Sequence, residues 1–105
     1  MRPCKVTAFT AALLAFANAG PAWSLTGEDV LDRMSSDESS GYLAGSIEMA
    51  AFLSAMQGNN QRADCIMDWY YNQDGVEKLV AALSSYKDRQ ALPVVHVIIK
   101  KACGE

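Results

Sequence analysis

One histidine, three cysteines and three prolines are all that this chain of 105 residues contains of those types, and each shortage removes a class of chemistry. The lone His96 and so few thiols give no ligand cluster of zinc spacing, so no metal site is expected. No paired carboxylates, nucleophile with a convergent base, or glycine-rich phosphate loop makes up the deficit. The chain is therefore expected to be no enzyme, with no catalytic residues and no cofactor. His96 lies in the apolar run Val94 to Ile99, where a buried or half-buried structural ring is expected. Glu48 sits among apolar neighbours, either as a buried carboxylate or as part of an ordinary polar stripe. Cations are also few: nine Lys and Arg against twelve Asp and Glu give a net charge of -3. Scattered as they are, they lack the electrostatic footprint of a nucleic-acid binder. No apolar run approaches the ~20 residues that span a bilayer as a helix.

What is present begins with an N-terminal signature of export. Arg2 and Lys5 form a positive stretch, and Val6 to Ala19 an apolar one without a polar face. Pro21 breaks it, and Ala22-Trp23-Ser24 places small residues where a signal peptidase reads them. Residues 1–24 thus read as a signal peptide cut before Leu25, with Ala17-Asn18-Ala19 as the competing site. Cys4 precedes the apolar run, the wrong place for a lipoprotein anchor. A periplasmic or secreted domain over 25–105 follows, without a membrane span. A domain of that size has a marginal core and needs a staple. Cys65 and Cys103 are its two cysteines, and an oxidising compartment favours a disulfide between them. On the chain-entropy account such a bridge contributes about 4 kcal/mol.

The rest of the pattern predicts an all-α fold, a small bundle of four to five helices. Thr26-Gly-Glu-Asp29 is a capping-box variant opening a short helix to about Met34. Ser35, Ser36, Ser39 and Ser40 read as a polar connection with several possible caps. The longest helix is expected from about Ser40 to Gln57, with Tyr42, Ile47, Met49, Ala50, Leu53 and Met56 as its apolar positions. Gly41 and Gly45, one turn apart, are expected to permit tight core packing. Gly58 and Asn59 end that helix. Asp74-Gly-Val-Glu77 is a second capping-box variant, before a face of Val76, Leu79, Val80, Leu83 and Tyr86. Pro93 suits the first turn of a last helix carrying Val94, Val97, Ile98 and Ala102. Val94 to Ile99 is good strand material by propensity, but a strand there would have no partner.

Two stretches are candidate partner surfaces. Gly58, Asn59, Asn60, Gln61, Arg62, Ala63 and Asp64 form the most polar uninterrupted stretch, expected to be a solvated loop tethered at Cys65. Trp69, Tyr70 and Tyr71 follow one another, so no single helix or strand face can bury all three. The exposed remainder would suit a protein interface or cap the small core.

Leu25-Thr-Gly-Glu-Asp-Val-Leu31, Gly41-Tyr-Leu-Ala-Gly45, Cys65, and Leu92-Pro-Val through Ala102-Cys103 together resemble the Tai-type immunity proteins of type VI secretion. The similarity covers nearly all of 25–105. It implies a helical protein, often a homodimer, that inhibits a peptidoglycan cysteine amidase effector by inserting a surface loop into the active-site cleft. Members often carry a second cysteine pair where Met34 and Ser39 stand here. They also usually have a Pro-containing turn where this chain has Ile66 to Tyr71. The family's contact residues do not map onto this chain. HdeA-type acid-stress chaperones are the alternative: small, exported, helical and single-disulfide, exposing apolar surface at low pH. A small inhibitor of an unrelated host or cell-wall enzyme is the third reading.

Overall fold

A computed structural model describes residues Leu25 to Glu105; the signal-peptide reading of residues 1–24 lies outside them. The described chain is a small all-α bundle of five helical elements closed by one disulfide. They are α1 (Asp29–Arg33), α2 (Ser36–Met56), α3 (Asn60–Asn72), α4 (Gly75–Ser85) and α5 (Ala91–Cys103).

The described chain begins pinned to the turn between α4 and α5. The Ala91 amide donates to the Leu25 carbonyl at 2.7 Å, and the Gly27 and Glu28 amides donate to the Arg89 and Lys87 carbonyls at 3.0 Å. Gly27 is required there, because a Cβ would lie 2.8 Å from the Leu83 carbonyl oxygen. The capping box forms as expected: the Thr26 amide donates to Asp29 Oδ2 at 2.9 Å, and the Asp29 amide donates to Thr26 Oγ1 at 3.2 Å. What it opens is a single π-helical turn, α1, with Val30 buried.

The expected serine-rich connection contracts to Ser35. Its hydroxyl accepts from the Glu38 amide at 3.2 Å while Glu38 accepts from the Ser35 amide at 2.9 Å, a second capping box that starts α2 well before Ser40. Ser36, Ser39 and Ser40 are consequently helical. The face of α2 that enters the core also differs from expectation: it consists of Leu43, Ile47, Ala51 and Ser54. Of the positions the periodicity singled out, only Ile47 is buried; Tyr42 and Ala50 are half-buried, and Met49, Leu53 and Met56 are exposed. Gly41 and Gly45 are exposed as well, with nothing within 4 Å of where a Cβ would stand, so they do not serve core packing. A helix apolar around most of its circumference leaves the choice of face to its neighbours.

Gly58 turns the chain with φ 83°, and α3 then begins almost at once. Asn59 caps it, its side chain accepting from the Arg62 amide at 3.0 Å. Ala63, Ile66, Trp69 and Tyr70 form its buried face, antiparallel to α2. In α4, Leu79 and Leu83 are buried while Val76, Val80 and Tyr86 are exposed, and the Asp74 side chain makes no capping hydrogen bond. In α5 the core face is Ala91, Val95 and Ile99; Val94 and Ile98 are half-buried, and Val97 and Ala102 are exposed. His96 is exposed, not buried: it follows Val95 by one residue, which turns it about 100° away from the core. Cys65 and Cys103, 38 apart in sequence with Cα atoms 5.8 Å apart, join α3 to α5.

Candidate binding surface

The corner between α2 and α3 is assembled by one side chain. Arg62, in the first turn of α3, donates from Nε to the Gly104 carbonyl at 2.8 Å and from its terminal nitrogen to Ser54 Oγ. Ser54 is buried near the end of α2, and Gly104 follows α5, so a single guanidinium ties three helix ends. The disulfide lies beside it. Asn59, Gln61, Arg62, Cys65, Ala102 and Cys103 line a shallow notch of about 310 Å³. Gly58, Asn59, Asn60 and Gln61 are exposed around it, and Arg62 is half-buried.

This corner corrects the expectation of a tethered loop over Gly58 to Asp64. Asn60 onward is helical, because the Asn59 cap and the buried Ala63 and Ile66 continue the α3 pattern. What turns the chain is Gln57, Gly58 and Asn59 alone. The polar residues are presented on a rigid helical corner.

The aromatic cluster divides unevenly. Trp69 and Tyr70 are each 7% exposed and belong to the core, so neither is available as a surface anchor. Tyr71 is 51% exposed and packs edge-on against the Tyr70 ring, with centroids 4.8 Å apart. Its hydroxyl donates to Glu48 Oε2 at 2.6 Å across the α2–α3 seam. That hydrogen bond to a carboxylate, more than partial burial or nearby charge, holds the Tyr71 phenol above its ordinary pKa of 10.0. Glu48 is exposed, so the buried-carboxylate alternative does not apply. Tyr71 stands nine positions beyond Arg62 on α3, about 14 Å along the helix axis, so the two candidate stretches do not form one site.

Sequence reasoning missed a third feature. Tyr86, Pro93, Val97 and Ile98 wall an open apolar groove of about 500 Å³ beside α5, with Arg89 and Lys101 at its margins. The Arg89 guanidinium lies 5.7 Å from the centre of the Tyr86 ring. Among the described residues Arg33, Lys78, Lys87 and Lys100 lie within 4.0 Å of a carboxylate, whereas Arg89 and Lys101 do not. Pro93, Val97 and Lys101 repeat at a spacing of four, which was the available signal.

Chemically, these surfaces offer amide, guanidinium, ammonium and phenol groups for recognition. The two described cysteines are consumed by the disulfide, and no group of three or more His, Cys, Asp or Glu among the described residues is placed to hold a metal ion. Comparison with protein-family models, with curated proteins and with solved structures finds no match.

Proposed function

We propose that the chain is an exported binding protein of the Tai-type immunity class, which inhibits a peptidoglycan cysteine amidase by filling its active-site cleft with the corner Gly58 to Arg62. The observation carrying this reading is how that corner is tied to its neighbours. Arg62 and the disulfide fix the ends of α2, α3 and α5 together, so the backbone carrying the exposed Asn59, Asn60 and Gln61 is held before any partner arrives. A surface already ordered loses little conformational entropy on docking, which is what a tight inhibitor requires. The amides of Asn60 and Gln61 can both donate and accept, matching the polar groups that line a peptide-hydrolysing cleft.

The test is inhibition of peptidoglycan cleavage by a type VI cysteine amidase, comparing wild type with Asn60→Ala/Gln61→Ala. Both side chains are exposed, so the fold is retained. Loss of inhibition by roughly tenfold or more is expected of a hot-spot corner. Equal inhibition by the variant would move the site elsewhere, and no inhibition by either protein would end the immunity reading.

One observation favours the acid-chaperone alternative: the carboxylates of Asp29 and Glu38 each complete a capping box, and protonation weakens both by removing the acceptor's charge. Near-UV circular dichroism distinguishes it, since a chaperone of that type loses fixed tertiary packing near pH 2. A spectrum unchanged at that pH excludes it.

A further inference from the structure

The groove beside α5 joins exposed apolar side chains to uncommitted positive charge. Tyr86 and Val97 are 50% and 49% exposed, Pro93 is exposed, and Ile98 is half-buried. No carboxylate stands among the residues that line it, and Arg89 and Lys101 have none within 4.0 Å among the described residues. Both cations are exposed in a chain whose net charge is -3. Arg89 precedes α5 and Lys101 lies in its last turn, so they mark opposite ends of a groove about 15 Å long at the rise of an α-helix. The Arg89 guanidinium stands over the Tyr86 ring at the groove wall, 5.7 Å from its centre.

We propose that this groove docks an amphipathic helix of a partner protein, one whose apolar stripe carries a carboxylate near each end. Charge complementarity sets the ends: two cations with no acid of their own face the incoming segment, and acids about ten residues apart on it reach both. The open side of the groove sets the class of occupant. A small-molecule site encloses most of its ligand, whereas this groove covers one side only and leaves the other to the partner's own fold. Backbone chemistry sets the conformation. An extended segment would lay its N–H and C=O groups against apolar side chains, with no strand among the described residues to pair with, while a helix satisfies those groups internally. Pro93 and Val97, one turn apart on α5, face side chains spaced three and four apart on such a helix. Tyr and Arg, here in contact at the wall, are residue types enriched where proteins meet.

This inference goes beyond the amidase reading and does not depend on it, because the groove contains none of the corner residues Gly58 to Arg62.

The test is titration of the oxidised protein, recovered from bacteria expressing the full chain, with a synthetic helical peptide of about fourteen residues. The peptide carries leucines at helical spacing and a glutamate in each end turn. Amide NMR shifts locate it, and calorimetry gives its affinity. Shifts are expected at Tyr86, Val97 and Ile98, with affinity falling roughly tenfold when lysines replace the two glutamates. Arg89→Glu/Lys101→Glu, on exposed side chains, is expected to invert that preference by a similar factor. Val97→Glu, also exposed, should abolish capture of the glutamate peptide and leave the helical circular dichroism unchanged. No binding, shifts confined to other residues, or equal affinity for the two peptides overturns the proposal. So does a preference for glutamate that survives the double reversal. Laurate, a single-chain anionic lipid, is titrated in parallel; shifts at the groove with laurate and none with the peptide would assign it to a lipid and overturn the proposal as well.

Discussion

At the scale of single residues, the constraints are steric and polar. Gly75 opens α4 where a Cβ would lie 2.7 Å from both the Trp69 carbonyl oxygen and the Tyr70 Cα, backbone atoms that cannot retreat cheaply. Gly75→Ala is therefore expected to destabilise the domain by about 2–3 kcal/mol, measured by urea unfolding. Tyr42 works in the opposite sense. Its hydroxyl is buried without a hydrogen-bond partner, and burial raises its pKa above the ordinary 10.0. Tyr42→Phe removes the unsatisfied group and is expected to stabilise by about 1 kcal/mol in the same assay. Neither effect was legible in the sequence, which gives no sign of what stands over a particular Cβ or hydroxyl. Asn59 was more legible: a residue expected to end one helix caps the next, and glycine at 58 supplies the turn that makes this possible.

At the scale of the element, the helix starts are where local sequence speaks most directly. Thr26 with Asp29 forms the capping box that their spacing implies. Ser35 with Glu38 forms another, so the serines expected to be a connection became the first turns of α2. Ser35→Ala is expected to cost about 1 kcal/mol. Both carboxylates titrate below their ordinary values, 3.8 for Asp29 and 4.5 for Glu38, chiefly because a backbone amide donates to each. Depressed values mean that their contribution to stability is complete above the ordinary values and disappears as pH falls through the lower, folded-state ones. Thermal stability should thus be flat down to about pH 5 and fall below it. Glu38→Gln, still able to accept the amide hydrogen bond, should flatten part of that decline; an unchanged acid limb would show that the cap does not set it.

At the scale of the whole molecule, the disulfide and Arg62 close the bundle at one end, and the pairing of Leu25, Gly27 and Glu28 with the α4–α5 turn closes it at another. Replacing both cysteines by serine is expected to cost about 4 kcal/mol by loop entropy, a large share of a small domain's stability. Melting with and without reductant checks this, and equal melting temperatures would show that the helices hold without the bridge. The sequence by itself determined the helical class, the Thr26–Asp29 cap and the Cys65–Cys103 pairing. Caps act over three or four residues, and two cysteines among the described residues leave one way to pair. Only the tertiary structure decided which side of α2 faces inward, that Trp69 and Tyr70 are core, that His96 meets solvent, and that Asn60 to Asp64 coil into α3. Those outcomes depend on which apolar surface finds a neighbour to exclude water with, and α2, apolar on two opposite sides, has neighbours among the described residues for only one.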